Sequence, residues 1–236
     1  MLKQFLALLL AACAFAAQAN EAVVRKTVEE KLGAKVASVA KAGYLGLYEV
    51  VVDGRILYTD AKASAFIFGS LVDVKSMQNV TEARLKTINA IKFADLPFDR
   101  AIKQVRGNGK RVLATFEDPN CGYCKKLHRD IQKLENVTIY TFMVAMLSED
   151  SLKKSKQIWC AADRAKAWND WMIENKAPAG KDDCDTGALE KNMEFAARYR
   201  IDGTPTLIFA DGERIPGAVP LANIELKFDR LSAAGK

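Results

Sequence analysis

The hydrophobic pattern of this chain breaks in the middle. Residues 21–32 read as a helix that stops at Gly33. Short β-rich runs follow: Leu45 to Val52, Arg55 to Tyr58 and Phe66 to Val74. Asp53-Gly54 between the first two is a hairpin signal, because both residue types tolerate the positive φ of a tight turn. Thr81 is placed to cap a helix carrying Leu85, Ile88 and Ile91, which Pro97 interrupts. Gly107-Asn108-Gly109 marks a loop. The pattern predicts a small α+β unit over 20–80, a helical linker over 81–109 and a larger domain over 110–236. A unit of roughly 60 residues with open strand edges is marginal alone, and pairing with a second copy would relieve both problems.

The larger domain starts with Arg111 to Phe116, RVLATF, a buried strand by its apolar run. A turn with Asp118, Pro119 and Asn120 leads to Cys121, after which Cys124, Leu127, Ile131 and Leu134 recur at helical spacing. Val137 to Leu147 is long enough for a second buried strand, and Glu149 to Tyr199 reads as helical. Thr204-Pro205 then opens another strand. Pro205 has no N–H to give a ladder, so it is either at the mouth of the sheet or an ordinary loop proline. Asp211-Gly212 turns into one more short strand, and Ala222 to Leu231 closes the chain as a helix. The order β-α-β, helical block, β-β-α implies a sheet with parallel and antiparallel parts.

The N-terminus changes the compartment. MLKQFLALLLAACAFAAQA has one lysine, an apolar run from Phe5 to Ala17, and small residues at Ala17 and Ala19. That is the order of a secretory signal peptide over 1–19, with cleavage after Ala19. Leu10-Ala11-Ala12-Cys13 also resembles a lipoprotein site, which would leave Cys13 lipidated. Cleavage after Ala19 leaves 217 residues and lowers the formal net charge from +6 to +5 by removing Lys3. Lys125, Lys126 and Arg129 sit beside Asp118 and Asp130, so the charge reads as a solvated surface and no nucleic-acid partner is expected.

Four cysteines remain after cleavage, an even number in an oxidising compartment. Cys121 and Cys124, separated by Gly122 and Tyr123, stand at a strand-to-helix junction. Free amides and the helix dipole at that point favour a thiolate at Cys121, while Cys124 lies one turn in on the apolar face. An exposed attacking thiol and a sheltered resolving thiol are what disulfide exchange requires. A staple across two residues would gain little chain entropy. A zinc site of Cys121, Cys124, Cys160 and Cys184 is the other option, but the second pair is 24 residues apart and not closely grouped, so no metal is expected. His128 reads as a half-buried surface histidine, and Glu117 and Asp118 as residues of a solvated turn.

Cys121-Gly122-Tyr123-Cys124 after a buried strand, with Gly203-Thr204-Pro205 opening a late one, resembles the thioredoxin superfamily. With Leu127-His128, Ile158-Trp159-Cys160 and the domain order, the chain is similar to the DsbC family of bacterial periplasmic disulfide isomerases over nearly all of its mature length. The resemblance implies a mixed α/β fold: a thioredoxin-like catalytic domain with a helical insertion, plus an N-terminal α+β dimerisation domain. It implies that Cys121 is the nucleophile, Cys124 the resolving thiol, and Gly122-Tyr123 the active-site dipeptide. Thr204 and a cis Pro205 would meet the substrate, and Cys160 and Cys184 would form a structural disulfide. It implies a periplasmic homodimer that needs no cofactor, acts on misoxidised or unfolded secreted proteins with chaperone-like binding, and is kept reduced by a DsbD-type membrane reductase. A DsbG-like holdase or reductase of the same fold, and a monomeric thiol oxidase, are the alternatives. One departure from thioredoxin is visible: its buried aspartate, six residues before the first active cysteine, is replaced by Thr115.

Overall fold

The computed structural model describes residues 20–234. The cleavage site after Ala19 and the lipidation alternative at Cys13 lie outside the described residues. The chain divides after Ile88 into two compact units.

In the first unit, helix α1 runs through residue 32 and ends at Gly33, whose φ of +62° lets its amide return to Glu29 O at 3.0 Å. Strands β1 (Val36–Lys41), β2 (Tyr48–Val52), β3 (Arg55–Thr59) and β4 (Phe66–Ile67) form an antiparallel sheet in that order. Alternation along β2 sends Tyr48, Val50 and Val52 into the core that Val24 and Val28 of α1 complete. Val51, with Ile56 and Tyr58, belongs to the opposite core, together with Leu85 and Ile88 of α2 (Val80–Ile88). The β2–β3 hairpin turns through Asp53 and Gly54, with φ of 48° and 69°. β5 (Val72–Asp73) and β6 (Gln78–Asn79) make a separate ribbon.

Two expectations for this region change. Thr81 is not the cap of α2: Asn79 Oδ1 accepts the Glu82 amide, and the Thr81 hydroxyl instead bonds the Tyr58 hydroxyl at 2.6 Å. Nor does the helix continue to Ile91. The Ile91 amide donates to Gly212 O at 3.0 Å, which fixes that residue in the core of the second unit.

The second unit is built on a five-stranded sheet: β11 (Arg214–Pro216), β10 (Thr206–Phe209), β8 (Arg111–Glu117), β9 (Val137–Met143) and β7 (Ile102–Arg106), in spatial order. Only β8 and β9 are parallel, joined by α3 (Gly122–Ile131). Strand β7 corrects the expectation of a helical linker over 81–109. Ile102–Arg106 pairs antiparallel with β9, and only that pairing makes five half-polar residues a strand. α3 and α7 (Leu221–Ala234) share a core with Leu113, Ile139 and Leu207. A second core joins Ala114, Phe116 and Phe142 to α6 (Gly187–Arg198). Two inserted helices, α4 (Glu149–Trp159) and α5 (Arg164–Glu174), build a third around the cysteine pair.

Candidate active site

Strand β8 delivers the chain to Cys121, which is the N-cap of α3. Its Sγ accepts the Cys124 amide at 3.3 Å, satisfying one of the donors that a helix leaves open at its start. The same sulfur lies 3.3 Å from Thr204 O, in the direction of a thiol donating to a carbonyl. The Thr204–Pro205 peptide is cis, and Pro205 directly precedes β10. The topology therefore brings Cys121 together with a segment more than eighty residues away, because β10 is the antiparallel neighbour of β8. Cys121 is buried and not the exposed thiol the sequence pattern predicts, because the Thr204 segment and the inserted helices pack around it; 6 % of its surface stays accessible, whereas Cys124 has none. Burial pushes the Cys124 thiol well above the usual range, and the neighbouring Glu117 carboxylate adds to the rise. Gly122 faces open space and Tyr123 is 71 % exposed, so the dipeptide between the cysteines fronts solvent.

The turn before Cys121 is tied down, not solvated. Asp118 is buried and its carboxylate accepts four hydrogen bonds: Asn120 N at 2.7 Å and Ser151 Oγ at 2.8 Å on one oxygen, Met146 N at 2.8 Å and Leu147 N at 3.0 Å on the other. It locks the Cys121 turn to the start of α4. Trp171 of α5 donates its indole N–H to Pro119 O at 2.6 Å, while Lys125 lies 3.8 Å above its ring.

Glu117 is buried as well. Position parity along β8 puts Leu113, Thr115 and Glu117 on one face, and Leu113 packs with Leu127 and Ile131 of α3. Thr115 Oγ1 donates to Glu117 Oε1 at 2.7 Å. Burial raises the Glu117 carboxyl to about 8, with the Thr115 bond opposing. The signal for Glu117 was present: reading the strand one residue beyond Phe116 places an acid in register with Leu113 and Thr115.

His128 also departs from expectation. It is buried between α3 and α5, with Nε2 at 2.7 Å from Asn169 Oδ1 and its ring edge-on to Trp168. Burial pushes it down to about 4 against the Asn169 hydrogen bond, and the Arg106 charge lowers it further. A neutral imidazole there cross-links helices.

Cys160 and Cys184 are bonded to each other, their Cα atoms 5.6 Å apart. The bond joins the end of α4 to the segment before α6, where Trp159 Nε1 donates to Asp185 O at 3.1 Å. Two of the four sulfurs are thus spent away from Cys121 and Cys124, which are both free thiols. Among the described residues no helix is long and apolar enough to cross a membrane.

Comparison with known proteins assigns this arrangement. Residues 98–232 match the model of a thioredoxin-like domain, and residues 15–82 that of the disulfide bond isomerase protein N-terminal domain. The chain is 40% identical over 207 residues to the probable thiol:disulfide interchange protein DsbC of Bordetella parapertussis, covering 88% of this chain and 73% of that protein. It is 31% identical over 220 residues to DsbC of Escherichia coli, covering 90% and 89%. The crystal structure of a disulfide interchange protein from Neisseria gonorrhoeae superposes with a TM-score of 0.54 at 38% identity, over 57% of this chain and 97% of that one. A strand-delivered cysteine pair, a cis proline against it and matches in both units leave one assignment: the chain belongs to the DsbC family of thiol:disulfide interchange enzymes.

Proposed function

We propose that the protein rearranges incorrect disulfides in secreted clients in the periplasm, with Cys121 as nucleophile and Cys124 as resolving thiol. The observation that carries this reading is the asymmetry of the pair: Cys121 at the helix start beside Thr204 O, Cys124 sealed one turn in. The Cys121 thiolate attacks one sulfur of a client disulfide. A Cys121–client bond forms, the client bond breaks, and the other client sulfur leaves as thiolate. That thiolate attacks a further client disulfide. A client thiolate finally displaces Cys121, which leaves reduced, so no net electrons are transferred. If the client stalls, Cys124 attacks Cys121 Sγ and releases it. The enzyme pair is then oxidised, the client has gained two electrons, and a DsbD-type membrane reductase would reset the pair.

Homodimerisation through the first unit and chaperone-like binding belong to the same proposal. Leu45, Phe68, Val74 and Met77 of that unit are exposed, and its edge strand β4 has only two residues. Thr204 and Pro205 would align the client beside Cys121, with the backbone of Thr204 as the contact. The deciding experiment is reactivation of scrambled ribonuclease by the reduced protein, run beside suppression of aggregation of a cysteine-free client. Reactivation that disappears in Cys121→Ser is expected. Aggregation suppression without reactivation would replace the isomerase with the DsbG-like holdase.

A further inference from the structure

Cys124 cannot resolve a mixed disulfide while it keeps its proton, and three buried groups near the pair are candidates to take it. Asp118 is one, but both its oxygens are already committed to four donors. His128 follows Cys124 by one helical turn, and its Nδ1 is buried without a partner while Nε2 is engaged by Asn169 and Gln132, but burial lowers it to about 4 and makes it a poor base. Glu117 has an unpaired atom too, and burial shifts its carboxyl the opposite way. Its Oε1 is held by Thr115, while Oε2 is buried with no hydrogen-bond partner among the described residues. Its register partner on β9 is Met143, which shares a core with Cys121 and Cys124. A buried polar atom left unpaired is costly, so its retention calls for an explanation, and a catalytic role is one.

The geometry points to Glu117 as the proton acceptor for Cys124 in the resolving step, a role that rests on the assignment of Cys121 as nucleophile. In that step the Cys124 proton passes to Glu117 Oε2 as Cys124 Sγ bonds to Cys121 Sγ. The Cys121–client bond breaks and the client leaves as thiolate. When an external dithiol later reduces the pair, the carboxyl returns the proton to the departing Cys124 sulfur. A carboxyl raised to about 8 by burial suits both directions, since a general acid–base works best near the ambient pH. Thr115, which occupies the position of thioredoxin's acid, would then serve to orient Glu117.

The test separates the two steps. The reduced full-length protein is mixed with a disulfide-bonded peptide, quenched with acid and resolved by mass, giving the formation and decay rates of the Cys121–peptide adduct. Glu117→Gln is expected to leave formation within about twofold and to slow decay at least tenfold, with Glu117→Asp recovering part of the loss because it keeps a carboxyl. Decay unchanged in Glu117→Gln overturns the inference, and so does equal slowing of both steps. If Glu117→Gln does not fold, Glu117→Asp alone decides: decay at the wild-type rate despite the shortened, displaced carboxyl overturns it, and selective slowing of decay upholds it. Failure of the wild-type adduct to form on Cys121 would instead overturn the nucleophile assignment.

Discussion

Cys121 Sγ and Thr204 O meet at 3.3 Å across a separation of 83 residues. Cys121 reaches solvent while Cys124 does not. Iodoacetamide should therefore alkylate Cys121 at least about tenfold faster than Cys124 in the folded reduced protein, as peptide mapping would read. Cys121→Ser should abolish both reduction and isomerisation. Cys124→Ser should keep measurable isomerisation and accumulate trapped client adducts on Cys121. Preferential alkylation of Cys124 would reverse the roles.

The Cys160–Cys184 bond closes a separation of 24 residues. Chain entropy assigns such a loop about 3.5 kcal/mol, with measured values often lower. Replacing both cysteines by alanine should lower the melting temperature by roughly 7–14 °C in a chain of this size. Alkylation of Cys121 should be unaffected, since its anchors lie on β8, α3 and the Thr204 segment. Slowed alkylation would show that the insert shapes the site.

His128 should make the protein acid-sensitive. Its folded value of about 4 lies below the ordinary 6.5, so the unfolded chain takes up a proton that the folded one refuses. Stability is intact above pH 6.5 and falls between 6.5 and 4, by roughly 3 kcal/mol at the full shift. Urea midpoints at pH 7 and pH 4.5 should differ less in His128→Gln than in the wild type. Parallel acid curves would place the sensitivity elsewhere.

Asp118→Ala should destabilise on the order of 3 kcal/mol, because Asn120 N, Ser151 Oγ, Met146 N and Leu147 N would all lose their acceptor. Hydrogen exchange should rise at Met146 and Leu147. A stable variant with protected amides there would mean that the turn holds itself.

The second unit has its own cores, so a protein beginning at Asn89 should fold alone. It should sediment as a monomer, keep thiol reductase activity and lose most isomerase activity. A full-length protein that is monomeric at micromolar concentration would remove the dimer from the proposal.

Local chemistry was legible in the sequence because it obeys short-range rules. The Asp53-Gly54 hairpin, the stop at Gly33 and the strand-to-helix junction at Cys121 each depend on φ preferences or periodicity within a few residues. Strand β7 was not legible, because Ile102–Arg106 is half polar and becomes a strand only by pairing with β9. Thr81 has the right chemistry for a cap, but Tyr58, 23 residues away, competes for its hydroxyl.

At the site, sequence determined the pair Cys121 and Cys124, their order and the helix that presents them, because a β-to-α junction dictates which cysteine caps and which is buried. The strand register already aligned Glu117 with Leu113 and Thr115, but only the tertiary structure decided how deeply Glu117, Asp118 and His128 are buried. Each is polar, and by composition alone each belongs in water. The α4–α5 insert and the approach of α3 to β8 close over them, and burial then leaves Asp118 a satisfied clamp, His128 a neutral cross-link and Glu117 a protonatable acid. Desolvation depends on what packs above a residue, and those layers come from segments tens of residues away.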